Sequence, residues 1–386
     1  MSSKSTSNRH VAQLSSWVLP ADAPIRRSSP RPPELRQDGY EDAYDASTLF
    51  YDVFDEGGVV GLAGPPTRNL AKGLGASTWR WNGPGGELLP TFYDRGRTQE
   101  SHLVPTGEGH RRLVPRRTRE IQVEGPLGRA TLVVQESGQE LFAGHRVLVT
   151  LSKNNDLLWV EEWAEYYARE HGTSAVLFYD NGSDAYTPED ILSTLSRVPG
   201  IEVVVVVPWN FPYGPGGGPA VRWDSDYCQY SVLEHARRRY LARASGVLSV
   251  DIDELVLTAD GRAVYAHASE ARYGAVVFQG RWIEKASEEA VEGVPSFADY
   301  FHYDPTLKAT TKKWCIDPRR LPGSVQWRVH SLNPLQLDVD PEILHRHFKG
   351  VNTDWKYRRK AAVVDPERLV ADLDIRDAVA RRRRSA

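Results

Sequence analysis

The sequence predicts an α/β protein with a parallel, nucleotide-binding half-sheet, preceded by a small β-rich domain. Three observations carry that expectation. Strands and helices alternate from His145 to Val250, the grammar of a parallel sheet. An acidic pair follows the fourth of those strands directly. Short apolar runs broken by Gly, Pro and Asp fill residues 41–143.

Residues 1–40 are Ser-, Pro- and Arg-rich and end in Ser28-Ser29-Pro30-Arg31-Pro32-Pro33. Such a stretch offers little apolar surface against the entropy of ordering, and the expectation is a disordered arm. Within 41–143, Leu49–Phe54, Gly58–Leu62, Glu120–Val123 and Ala130–Val134 read as strands, and no motif there carries chemistry. From 144 to 360 the expected order runs in three strand–helix steps. Val147–Leu151 is a strand, and Asp156 opens a helix with Leu157, Val160, Ala164 and Tyr167 on its buried face. Ser174–Tyr179 and Pro188–Leu195 form the next strand and helix. Ile201–Val207 is followed by a flexible Gly/Pro loop, Tyr213–Pro219, and a helix over Asp224–Ala244. Val247–Val250 is the fourth strand. Later strands are expected at Ala275–Gln279 and Ser324–His330. Residues 361–386 are expected to form a C-terminal helix and a basic tail with Arg381–Arg384.

The bulk properties exclude several classes. The 386 residues are 40% hydrophobic and 26% charged, with a net charge of -3, so nothing calls for nucleic acid or an anionic surface as partner. Cys228 and Cys315 stand alone, which makes neither a disulfide framework nor a zinc site and suits a reducing compartment. The polar start lacks the order of a secretory signal. The longest apolar run is far below the ~20 residues of a membrane span. A cytoplasmic protein without a transmembrane segment is therefore expected.

The candidate chemistry centres on Asp251-Ile252-Asp253-Glu254. Carboxylates at i and i+2, just past a buried strand, open into the crevice where such sheets bind ligands. Hard oxygen donors there suit Mg²⁺ or Mn²⁺ shared with a substrate diphosphate. An acidic strand-to-loop turn is the plainer reading. Tyr179-Asp180-Asn181-Gly182-Ser183-Asp184 ends the second strand, where acidic and small residues contact a nucleoside, although the same composition is that of an ordinary turn. Lys153-Asn154-Asn155 follows the first strand and belongs to the same crevice.

Taken in order, Ser152-Lys153-Asn154-Asn155, Glu161-Glu162-Trp163, Tyr179–Ser183, Cys228-Gln229 and Val250–Glu254 resemble the GT-A glycosyltransferases of the glycosyltransferase family 92 kind. Asn155 stands where that family carries Glu. The resemblance covers about residues 146–260 well and continues more loosely to about 360. It implies a GT-A fold with a mixed central sheet, a UDP- or GDP-sugar donor, an inverting outcome and Mn²⁺ or Mg²⁺ as cofactor. Lys153, Asn154, Asp180, Asn181, Ser183 and Asp251 would contact the donor, and Asp251 and Asp253 the metal. The late family pattern falls on Lys313-Trp314-Cys315, His330 and His347-Phe348. It implies a metal-proximal histidine at His330 or His347, with His345 a close competitor. Lys308, Lys312, Lys313, Arg328 and Lys349 are candidate partners of the diphosphate.

Inversion needs a carboxylate base for the acceptor hydroxyl. Glu284, Asp299, Asp304 and Asp317 are available, with Glu284 and Asp317 the catalytic candidates and Trp282 a stacking platform. The acceptor, whether glycan, lipid or small molecule, is not legible. Two alternatives remain: a non-catalytic GT-A-like scaffold, and a nucleotidyltransferase, against which the lack of a Gly- and Arg-rich loop after the first strand counts.

Overall fold

The computed structural model describes residues 7–81, 86–105, 119–217, 223–353 and 365–381. They form two compact units. The first comprises residues 1–12, 141–207 and 243–386; the second comprises 13–140 and 208–242. The end of the Tyr213–Pro219 loop and Arg382–Arg384 of the basic tail lie outside the described residues.

The first unit is built on a nine-stranded mixed sheet. Its strands in chain order are β1 (Arg9–Val11), β2 (Arg146–Ser152), β3 (Ala175–Asp180), β4 (Val203–Pro208), β5 (Gly246–Ser249), β6 (Glu254–Thr258), β7 (Ala275–Ile283), β8 (Lys313–Ile316) and β9 (Val339–Phe348). Across the sheet the order is β1-β4-β3-β2-β5-β8-β7-β9-β6. The chain leaves β2 toward β3 and β4 on one side, then returns to place β5 on its other side, parallel to it. The carboxyl ends of β2 and β5 therefore flank a topological switch point, where open α/β sheets bind ligands. The helices α1 (Leu157–His171), α2 (Pro188–Ser196) and α3 (Val264–Glu270) pack on this sheet, and α4 (Leu373–Ala380) is the expected C-terminal helix. Asp156 caps α1 through the Leu158 amide, and Gly172, at φ +62°, closes it in the left-handed region that favours glycine.

The α1 helix also secures the sheet's edge. The hydroxyls of Tyr166 and Tyr167 donate to the carbonyls of Val256 and Glu254 at 2.7 and 2.9 Å, and His171 Nε2 bonds the Val256 carbonyl at 2.8 Å. An edge strand's free carbonyls are thereby satisfied. Glu162, from the Glu-Trp motif, has a structural task. Its carboxylate accepts from Ser296 Oγ and the Phe297 amide, while Trp163 is buried in the core.

The second unit contains a closed barrel. Strands Asp52–Asp55, Val60–Gly64, Gln99–Pro105, Glu87–Asp94, Thr78–Trp81, Arg119–Gly125 and Gly128–Val134 pair antiparallel in that order. The ring shuts where the Gln135 amide donates to the Val53 carbonyl and the Asp55 amide to the Gln135 carbonyl, both at 2.9 Å. Closure removes exposed edges. Val53, Leu62, Trp79, Leu88, Leu103, Ile121, Val123 and Leu132 pack together as its core.

Two expectations are revised. Residues 9–11 of the expected arm form β1, in register with Val204–Val206, and Trp17–Val18 pairs with Thr48–Phe50. An edge strand takes its hydrogen bonds from its neighbour and needs few apolar residues of its own. The buried Arg27 guanidinium gathers the carbonyls of Pro66, Asp45 and Thr48. The helix expected over Asp224–Ala244 is Tyr227–His235, continued by a wider π segment, Ala236–Leu241, and it belongs to the second unit. Ser231 bonds the Gly64 carbonyl, His235 bonds Asp52 at 2.9 Å, and Arg238 pairs with Glu56. Periodicity reports a buried face but not which sheet buries it.

No helix among the described residues is long and apolar enough to cross a membrane. Leu248, fully buried in β5, supports the strand that delivers the acidic pair. Leu248→Ala should lower unfolding free energy by about 2–5 kcal/mol, measured by denaturant titration.

Candidate active site

Strand directions bring the chemistry to one side of the sheet. β2, β3 and β5 point the same way, so Lys153, Asp180 and Asp251 emerge together at their carboxyl ends. β8 runs antiparallel to β5, which brings its first residue, Lys313, to that side. β7 is antiparallel to β8 and parallel to β9, so Glu284 and His347 end there too. β6 is antiparallel to β9 and begins there with Glu254.

The turn between β5 and β6 is tied by its own acid: the Asp251 amide donates to Glu254 Oε2 at 2.9 Å. Lys313 Nζ lies 2.8 Å from Asp251 Oδ2 and 2.8 Å from the same Glu254 oxygen. His347 Nε2 is 3.0 Å from Asp253 Oδ2, and its Nδ1 is 3.3 Å from Glu254 Oε1. Asn352 Nδ2 approaches Asp253 Oδ2 at 3.3 Å. His345, two residues before His347 on the same strand face, bonds Thr310 Oγ1 at 2.8 Å and lies 3.8 Å from Glu254 Oε1. Donor atoms of Asp251, Asp253 and Glu254 lie within 4.8 Å of one another, as do those of Glu254, His345 and His347.

Burial is graded across the group. Glu254, His345 and Lys313 are buried, whereas Asp251 keeps a quarter of its side chain exposed and forms the open end. Burial pushes the Glu254 carboxyl up, Lys313 opposes that, and Asp251 reinforces it. Two donors on Oε2 nevertheless require an unprotonated oxygen there. For Lys313 burial alone would lower the pKa, and the Asp251 and Glu254 carboxylates reverse that and hold it well above the ordinary range. Burial, then the nearby His347 and Lys313, drives His345 well below its usual value, so it is neutral. Three carboxyl groups thus meet the Lys313 ammonium. The group is a donor set of oxygens and imidazole nitrogen suited to a divalent cation.

The loops after β2 and β3 are knitted together. Asn154, at φ +55°, donates its amide to Ser183 Oγ at 2.9 Å, and its side chain bonds Asp184 at 2.8 Å. Ser183 Oγ donates to Asp180 Oδ1 at 2.6 Å, and the Asn181 amide to the Ser152 carbonyl at 2.8 Å. Burial raises Asp180, against the hydrogen bonds from Ser183 and the charge of Lys153. Asn154, Asp180 and Ser183 therefore shape the crevice by bonding one another. Thr353 Oγ1 contacts the Lys153 carbonyl, so residues 352–353 touch both the acidic group and this loop.

The structure brings Asp251, Asp253 and His347 together and leaves two expected residues outside. His330 is exposed and bonds the Lys312 carbonyl at 3.0 Å; it sits in a turn between two short strands and belongs to neither donor group. Asp317 follows the carboxyl end of β8, the end away from Lys313, about 13 Å along the strand. Its carboxylate pairs with Arg319 at 2.7 Å. Of the other base candidates, Asp299 caps the Ser296 amide and Asp304 accepts from Thr306. Glu284 is buried, pairs with Lys349 at 2.5 Å and follows Trp282 on one strand face. The Trp282 ring packs on His347, with centroids 4.3 Å apart. Sequence reasoning passed over the role of Glu254 and left His345 as a competitor. The two-residue spacing to His347 on a strand was the available signal. Asn352 and Thr353 had none.

No family model matches the chain, and no curated protein matches it. Among solved structures it overlaps the apo bifunctional glycosyltransferase WbbM at 12% identity and a TM-score of 0.26, over 40% of this chain and 26% of that one. It overlaps an active-site mutant of LgtC at 17% identity and a TM-score of 0.22. The galactosyltransferase LgtC in complex with donor and acceptor sugar analogues gives 17% and 0.23. Each LgtC overlap covers 45% of this chain and 58% of the other. Overlap of that extent assigns no function by itself.

Gly280 makes room for His345. A Cβ there would lie 2.1 Å from the His345 carbonyl oxygen and 2.7 Å from its ring. Gly280→Ala should destabilise the protein by about 1–3 kcal/mol, read as a lowered denaturant midpoint.

Proposed function

We propose that this chain is a divalent-cation-dependent glycosyltransferase of GT-A type that takes a nucleotide-diphosphate sugar as donor. The observation that carries the reading is the buried group Asp251, Asp253, Glu254, Lys313 and His347 beside the β2–β5 switch point. It gathers three carboxyl groups and an imidazole, hard donors in one cluster, where a phosphorylated ligand would enter. Asp253, His347 and Asp251 would hold Mn²⁺ or Mg²⁺, which neutralises the leaving diphosphate when bound. The donor's nucleoside would lie over the Lys153–Asn155 and Asp180–Ser183 loops.

Glu284 is the proposed base. Its carboxylate takes the acceptor hydroxyl's proton as that oxygen attacks the anomeric carbon. The bond to the diphosphate oxygen breaks, and the diphosphate leaves with the electron pair, so configuration inverts. Trp282, on the same strand face, offers a flank for a sugar ring. The acceptor is a hydroxyl compound of unassigned class.

The test is a nucleotide-sugar panel incubated with the purified protein and Mn²⁺. One donor should release nucleoside diphosphate, with the signal abolished by chelator and cut at least about 100-fold in Asp253→Ala. A folded protein that neither hydrolyses nor binds any donor would favour a scaffold role. Once the donor is known, Glu284→Gln should lower transfer by about 10²–10⁴-fold while donor Kd stays near wild type. A transfer rate within threefold of wild type would remove Glu284 from that role.

A further inference from the structure

We propose that Glu254, His345 and His347 form a second, inner cation site, selective for Zn²⁺, whose filling denies His347 to the cation held with Asp251 and Asp253. The inner site stands on its own geometry. Its competition with the outer one rests on the reading that His347 serves a catalytic cation there. Three residues on two adjacent strands make the site. Glu254 on β6 lies opposite His347 on β9, and Val256 opposite His345, so both imidazoles stand on the sheet face that Glu254 shares. All three residues are buried, and their donor atoms lie within 4.8 Å of one another.

The decisive contact is between two acceptors. His347 Nε2 bonds Asp253 Oδ2 at 3.0 Å, and a carboxylate only accepts, so Nε2 carries the proton and Nδ1 presents its lone pair. That lone pair faces Glu254 Oε1 at 3.3 Å, and the buried Oε1 accepts no hydrogen bond. Glu254 Oε2, by contrast, takes the Asp251 amide and the Lys313 ammonium. A buried carboxylate oxygen turned toward a lone pair costs free energy until something positive lies between them. His345 supplies the third donor. Its Nε2 lies 3.8 Å from the same Oε1 and 2.8 Å from the Thr310 hydroxyl, which rotates to suit its partner. A tetrahedral shell with bonds of about 2.1 Å sets its donors about 3.4 Å apart, between the two distances measured from Oε1. Two imidazoles and one carboxylate are a zinc donor set, whereas Mn²⁺ and Mg²⁺ prefer the oxygens of the Asp251–Asp253 end.

The exclusion follows from one proton. A neutral imidazole offers one nitrogen to a cation and keeps its proton on the other. Zn²⁺ at Nδ1 holds that proton on Nε2, against Asp253, where the outer cation would need the lone pair.

The test uses the full-length protein and a zinc salt alone. Calorimetric titration should show Zn²⁺ binding that His345→Gln weakens at least about 10-fold, the loss that follows from removing even an outer partner of a metal ligand. Mn²⁺ affinity of the same variant should be unchanged within error, since Asp251, Asp253 and His347 are intact. Zinc-edge anomalous diffraction, which needs no variant, should place the ion at bonding distance from Glu254 Oε1, His347 Nδ1 and a His345 nitrogen. The zinc-loaded protein should then fail to take up Mn²⁺ at the outer site. Unchanged Zn²⁺ affinity in a folded His345→Gln, a zinc peak elsewhere, or no zinc bound by the wild type overturns the inner site. Should His345→Gln not fold, the anomalous peak alone decides. Both ions bound at once would overturn the exclusion. Zinc at the inner site of a protein that takes up no Mn²⁺ even when zinc-free leaves that site standing and removes His347 as an outer ligand.

Discussion

The Lys313 ammonium sits between the carboxylates of Asp251 and Glu254, beside that of Asp253, and the architecture around the acidic pair follows from the need to hold these carboxyl groups together. A buried carboxylate without a partner is costly, and removing one member of a buried pair typically costs about 3–5 kcal/mol. The protein meets these carboxyl groups with Lys313 and with hydrogen-bond donors: His347, Asn352 and the backbone amide of Asp251. The more exposed Asp251 forms the open end of the group. Stability and ligand affinity would be coupled at this one cluster, because a bound cation would add to the folding free energy by mass action.

The sheet makes that cluster possible. A fully parallel sheet would bring only carboxyl ends to the crevice. Reversing β8 and β6 adds residues from the beginnings of strands, Lys313 and Glu254, to residues from the ends of β5, β7 and β9. The cost is an exposed edge at β6, and the α1 tyrosines and His171 cover it with hydrogen bonds to the very strand that opens with Glu254. Helix packing and site geometry are therefore one structure, not a scaffold with a site added.

Much of this was legible from residue order. The alternation over β2 to β5 and the position of the acidic pair follow from apolar periodicity and strand length, both local properties. His347 entered through family resemblance, and the structure joins it to Asp253. Asp317 stays outside the group because proximity in sequence says nothing about which end of an antiparallel strand faces the crevice, and His330, taken from the family pattern, lies in a turn between two short strands. Asp317 is four residues from Lys313 and at the opposite end of β8. The N-terminal strand and the membership of the Tyr227–His235 helix were hidden for a related reason, since both depend on partners far away in sequence. Closure of the barrel rests on two backbone hydrogen bonds of Gln135, which no side-chain pattern announces.

The most direct test of the central claim is crystallographic. Crystals grown with Mn²⁺ and a nucleoside diphosphate should give an anomalous peak at bonding distance from an Asp253 oxygen and His347 Nε2, with the diphosphate completing the shell and Lys313 still on Asp251 and Glu254. A peak confined to other acids, or an empty Asp253–His347 pair with nucleotide bound elsewhere, would contradict it.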